Sequence, residues 1–516
     1  MPLASRYVGW LLRACRMLGS DKQLREGREF ARVFRRDGEK PLAASQVSRW
    51  ESGLLTVGHA TLRRYEHLLG IAPEQLVTLS DALVRLEGSS PVKSFQVRPN
   101  GTHDDLHRLL ERAQTPGEMT GADWGHLTEL VATQPNLVLH PPALWRHLAD
   151  QLLAELSLSA FGQWWQRQEA MSRLLEHPHA RRYAVEACIA LARDQTSPAI
   201  IEPISLLEVA NQPESNRFIL DQIGRPDSPG AFEGALLAAV RKVSHGHFQD
   251  EQWTALTGQM IRHLQDSAID ASLLPLMCEV GRLLGRRQPG AVSLHRVVSQ
   301  LETEAGAAKG SPRAEPVAGD QLVALALGHL DEPPTADGLL PDLIEESLHH
   351  PDPERRLVIG MFIGATPYRE PVAKALLQSF TRALGARDYS VPLATLRTLT
   401  NLDVAIHRPL IHYILTSPGF AGSLRRAAAG ALPHCAGRDA MATWRQTLGA
   451  ARASWEADAT ELNQAVLDAV VYGIGTDAHA PLLTEVCGQA GLPQSTRRIA
   501  AWLLSSPSCE SSLPLG

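Results

Sequence analysis

The side chains best placed for specific chemistry lie in one short stretch, Ser45-Gln46-Val47-Ser48-Arg49-Trp50-Glu51-Ser52-Gly53. The chemistry is recognition rather than bond-making. On a short helix Ser45, Gln46, Ser48 and Arg49 share a face, and Val47 and Trp50 point elsewhere. Hydroxyl and amide groups can hydrogen-bond base edges or phosphates. An arginine can grip guanine O6 and N7 together, a contact contributing about 1–3 kcal/mol of discrimination. Gly53 then stops the helix. A helix with an apolar back and this front suits a DNA major groove.

Bond-making chemistry is poorly represented. The sequence holds no GxxxxGK[ST], HExxH or GxSxG pattern. The nearest approaches to metal-ligand clusters are His177-x-His179, His245-x-His247 and His349-His350, none beside a matching cysteine or carboxylate set. They read as turn or surface histidines, and no metal, cofactor or enzymatic activity is expected. The six cysteines are far apart and form no CxxC pair, which fits reduced, buried thiols. Trp164-Trp165 reads as core packing with one ring outward, or as one wall of a ligand or peptide groove.

Five helices are expected to position the stretch. Tyr7 to Leu18 is apolar at helical spacing, and a second helix is expected from Gln23 to Arg35. Asp37 to Pro41 is a turn, followed by the Ala44–Ser52 helix. A fourth, capped by Thr61, covers Leu62–Leu69 and ends at Gly70. Pro73-Glu74 opens a fifth through Leu86.

In this order, SQVSRWESG, TLRRYEHLLGI and PEQL resemble the Cro/repressor (XRE) helix-turn-helix family over roughly residues 5–80. The resemblance implies that Ser45, Gln46, Ser48 and Arg49 face DNA, and that Glu51 pairs with Arg16 of the first helix. Phe30-Ala31 match the family's usual Leu-Ala in the second helix. The Arg35–Pro41 connection is longer than usual, which leaves the angle of the recognition helix open. Arg36, Lys40, Arg63 and Arg64 are expected to add salt-sensitive backbone contacts. Self-cleaving repressors of this family carry a β-rich Ser-Lys domain, which the rest of this chain does not resemble.

Charge is divided along the chain. Residues 1–70 hold 13 Lys+Arg against 7 Asp+Glu, and the remainder holds 37 against 49. A basic head on an acidic body predicts an anionic ligand at the head. Arginine strongly outnumbers lysine, which with abundant Ala, Gly and Pro points to a GC-rich, actinobacterial-type genome. No apolar run is long enough for a membrane span and the N-terminus is a poor signal peptide, so a cytoplasmic location is expected.

Beyond the head, helix formers dominate and Pro, Gly, Asp and Ser recur as punctuation, the grain of stacked helical hairpins. Arg-Arg pairs open apolar segments at Arg181, Arg355, Arg425 and Arg497, the last three 70 and 72 residues apart. That implies a unit of roughly 29–41 residues, similar to HEAT repeats. The expected fold is therefore all-α: a five-helix head (1–88), a linker (89–103), two solenoid halves (104–303 and 320–506) around a flexible loop (304–319), and a frayed tail (507–516).

The expected function is sequence-specific transcriptional regulation on double-stranded DNA. A homodimer is expected, with a peptide, small-molecule or protein effector on the solenoid. The alternative is an interaction scaffold that the head merely docks.

Overall fold

The computed structural model describes residues 3–34, 42–87, 103–159, 161–266, 273–287, 292–308, 319–330, 338–385 and 390–506. Helices make up the regular structure, with no strand among the described residues. No described helix is long and apolar enough to cross a membrane.

The head contains α1 (Leu3–Met17), α2 (Gly27–Phe34), α3 (Ala44–Glu51), α4 (His59–Leu69) and α5 (Gln75–Glu87). Its second helix is shorter than expected. A 3-10 turn, Gln23–Arg25, comes first, and Glu26 breaks it with extended backbone (ψ 119°) before α2 begins at Gly27. α4 starts at His59, ahead of Thr61, with Gly58 as its N-cap and no side-chain cap. Gly70 ends it in the left-handed conformation (φ 65°), where lacking a Cβ removes the steric cost. The connection at 35–41, with Arg36 and Lys40, lies outside the described residues, as do 88–102 and the tail from 507.

The body is a succession of helical hairpins. The four Arg-Arg pairs fall in the first two turns of the helices Arg181–Arg193, Pro353–Gly364, Gly422–Ala431 and Gln494–Ser505. In the third of these, Arg425 reaches the next hairpin, donating to Ser454 Oγ at 2.9 Å and Asn463 Oδ1 at 3.5 Å. Of the expected loop at 304–319, residues 309–318 lie outside the described residues. The helix Val292–Ala308 runs into it and the helix Gly319–Leu327 leaves it.

Side chains gather into three cores, and their boundaries differ from the sequence division. Residues 106–298 form one. Another combines Leu158 with residues 380–503. The remaining core unites the head with residues 322–404 and Trp165. The head is thus no separate bead on a linker. Trp10 stacks on Tyr368 with centroids 6.1 Å apart and planes 8° from parallel, and Cys15 Sγ donates to the Ala365 carbonyl at 3.4 Å. Trp165 is buried in this shared core, while Trp164 is half-buried and meets His434 edge-on.

Candidate nucleic-acid interface

α3 has eight residues and two unlike sides. Val47, Trp50 and Glu51 are buried, whereas Ser45, Gln46, Ser48 and Arg49 are exposed. The buried side is held by aromatic packing. The Trp50 ring lies 5.4 Å from Phe34 of α2, and Phe34 and Phe30 sit 5.6 and 4.7 Å from Tyr65 of α4. Such tilted aromatic pairs contribute beyond their buried area.

An ion pair ties the same side to α1. Arg16 Nε and Nη2 donate to the two Glu51 carboxylate oxygens at 2.6 and 2.7 Å, with both side chains buried. Tyr65 Oη donates to Glu51 as well, at 3.1 Å. Arg16 Nη1 donates to the Arg25 carbonyl, so this one guanidinium joins α1, α3 and the 3-10 turn. A bidentate buried pair of this kind sets the position of α3 more than it adds net stability.

α1 and α3 also touch through backbone. A Cβ on Gly9 would meet the Trp50 and Glu51 carbonyls at 2.8 and 2.9 Å, and one on Gly53 would meet the Ser5 carbonyl at 2.6 Å. Gly53 has φ 72° as well, so both space and conformation demand glycine. Ala43 supplies no side-chain cap to α3, so the first turn of α3 presents N–H groups uncovered by its own cap residue.

Arg63 and Arg64 of α4 both hydrogen-bond within the chain. Arg63 donates to both Glu74 carboxylate oxygens, at 2.5 and 2.9 Å, and to Glu129 of the body helix Gly121–Ala132. Arg64 donates to the carbonyls of Val33 and Phe34 at 2.7 and 3.0 Å, covering the C-terminal end of α2. Both tie elements of the chain together, Arg63 through carboxylates and Arg64 through carbonyls that leave its charge in place.

Arg63 belongs to a larger buried seam between head and body. His59 donates to Asp81 at 2.7 Å and to Glu129 at 3.3 Å. Burial opposes the charged ring, but the Asp81 and Glu129 hydrogen bonds outweigh it and raise its pKa to about 9. Burial likewise opposes the Glu129 carboxylate, and hydrogen bonds from His59 and Arg63 bring it down to about 2. Arg173 of the body reaches Asp81 at 2.8 Å. Deeper in, Arg85 of α5 pairs with Glu169, with Glu208 at 2.6 Å and with Glu354 at 3.3 Å. Glu354 and Asp352 both accept from Arg241 at 2.5 Å. At the outer end Tyr7 Oη donates to Glu346 at 2.6 Å.

Sequence reasoning missed this seam. His59, Asp81 and Arg85 carry no local motif, and their partners lie 22 to 269 residues away. The one available hint was the acidic excess of the body. The histidine pairs also have structural places. His177 Nε2 lies 3.1 Å from the Gln134 carbonyl, and His350 Nδ1 accepts from the Asp352 N–H. No group of three or more His, Cys, Asp or Glu residues that could hold a metal ion occurs among the described residues.

No protein-family model matches this chain, and no curated protein matches it.

Proposed function

We propose that this protein is a cytoplasmic, sequence-specific DNA-binding regulator of the Cro/repressor helix-turn-helix type. The observation that carries the proposal is the division of α3. Three of its last five residues are locked into the head, and Ser45, Gln46, Ser48 and Arg49 face solvent. Arg49 would read guanine, with Ser45, Gln46 and Ser48 completing base and phosphate hydrogen bonds. The open first turn of α3 favours a phosphate beside it.

The surroundings alter what such a regulator would look like. Nine of the thirteen α5 residues are buried within the chain. A homodimer would therefore form through another surface, and the spacing of any paired half-sites would follow the bodies rather than the heads alone. The head also occupies carboxylates of both body halves, so an effector acting on that face would compete with the head.

The test is selection of duplexes from random-sequence DNA by the full-length chain, followed by affinity measurements at constant salt. Arg49→Ala should lose about 1–3 kcal/mol for the preferred sequence and little for unrelated DNA. Equal binding of selected and scrambled duplexes by the native protein would reject the reading.

The scaffold alternative is favoured by one observation, the core shared between head and body. A scaffold would keep its protein partners when Arg49 is replaced. Deleting residues 1–88 is a poor discriminator, because it strips half of that core from residues 322–404.

A further inference from the structure

The exposed ionic groups of α1 and α3 are all of one sign. Arg6 and Arg13 on α1 and Arg49 on α3 reach solvent, and none has an ion-pair partner among the described residues. The one carboxylate on either helix, Glu51, is buried against Arg16. Among the other described head arginines, Arg16 pairs with Glu51, Arg25 with the Gly19 carbonyl, Arg32 with Glu29, and Arg63 and Arg64 as described, while Arg28 of α2 is exposed.

Position matters as much as sign. The Gly9–Gly53 crossing brings the Arg6 Cα within 2.9 Å of where a Gly53 Cβ would be. Ser5, Gly9 and Arg16 make the side of α1 that meets α3. At about 100° per residue, Arg6 and Arg13 fall on the solvent flank of that seam, roughly 60° and 40° round from Gly9. They share a face and stand about 10 Å apart along the axis. Gly53 is followed by Leu54, which is 66% exposed.

We propose that α1 forms part of the DNA surface. Arg6 and Arg13 take backbone phosphates of the strand bordering the groove at the C-terminal end of α3, the task the sequence pattern lent to Arg63 and Arg64. The proposal rests on the reading of α3 as the base-reading helix. Phosphate is the fitting partner because a flank of unpaired guanidiniums beside a groove-reading helix meets the backbone rather than base edges. Such contacts carry no sequence information, but each neutralised phosphate releases counterions and steepens the salt dependence of binding.

The experiment uses the full chain and a duplex selected by the native protein. Dissociation constants are measured over a fourfold range of salt for native protein, Arg6→Ala, Arg6→Lys, the double variant Arg6→Ala/Arg13→Ala, Arg49→Ala, and Arg182→Ala as an exposed body control. Arg6→Ala should weaken binding roughly 3- to 10-fold on selected and scrambled duplexes alike, and should flatten the log–log salt slope by about 1. The double variant should flatten it by about 2, and Arg6→Lys should restore most of the native slope. Arg182→Ala should leave the slope unchanged. Thermal melting of each variant checks folding. A double variant with native slope and affinity overturns the proposal even where Arg49→Ala still loses discrimination. A native chain that binds no duplex at any salt overturns the DNA reading and this inference together.

Discussion

The head has two arginine-bearing faces with opposite fates. On the α1–α3 face, Arg6, Arg13 and Arg49 stay in solvent. On the α4–α5 face, Arg63 is half-buried and Arg85 buried, and each meets more than one carboxylate. Residue type does not separate the two faces. What separates them is where the body supplies Glu129, Glu169, Glu208 and Glu354. The charge division of the sequence therefore has two sources. Part of the basic head is free for an anionic partner, and part is matched by the acidic body of the same chain. A positive tally over residues 1–70 overstates the unpaired positive surface, because Arg16 and Arg63 enter the count and already face carboxylates.

The comparison can be broken most directly at the buried face. Arg85→Met removes the cation shared by Glu169, Glu208 and Glu354 and leaves carboxylates buried without it. Loss of one partner from such a cluster costs about 3–5 kcal/mol. Urea unfolding should show that loss. A change below about 1 kcal/mol would mean that the seam contributes little to joining head and body.

The exposed face rests on backbone contact, so its sensitive point is Gly53. An alanine there must adopt a positive φ and displace the Ser5 carbonyl, at a cost of about 2–3 kcal/mol. Thermal melting should report the lower stability, and DNA affinity should fall as well, since α3 would shift against α1. Native stability in Gly53→Ala would show that the two helices can separate freely.

A smaller effect sharpens the electrostatics of the seam. Burial raises the Glu176 carboxyl from 4.5 to about 7, with Arg85, Glu169 and Arg173 near enough to influence it. Because the folded value is raised, its contribution is fully present below pH 4.5 and is lost as pH rises towards 7. Glu176→Gln cannot titrate. It should match the native protein near the lower end of that window and exceed it above pH 7 by on the order of 1 kcal/mol. Parallel stability–pH curves for the two proteins would remove Glu176 from the balance.

Legibility followed sequence distance. The inward and outward sides of α3 were readable because an amphipathic helix encodes its faces within a few residues. Arg16 and Glu51 were readable only through the family resemblance, and their contact is now explicit. Helix ends were less legible. Thr61 looked like a cap, but Gly58 is the N-cap of α4 and His59, its first residue, meets both Asp81 and Glu129. Extended backbone at Glu26, which no apolar periodicity announces, shortened α2.

What the amino-acid order determined by itself is local: an all-helical chain, hairpins marked by Arg-Arg pairs, and one short helix with a polar front. Helical periodicity and turn chemistry act over a few residues, so a linear reading captures them. Only the tertiary structure decided which arginines stay exposed, where the head shares its core with the body, and how much of α5 is buried within the chain. Those outcomes depend on carboxylates and apolar surfaces brought together across as many as 269 residues. A buried charge requires a partner, and where the fold puts that partner is written in no local pattern.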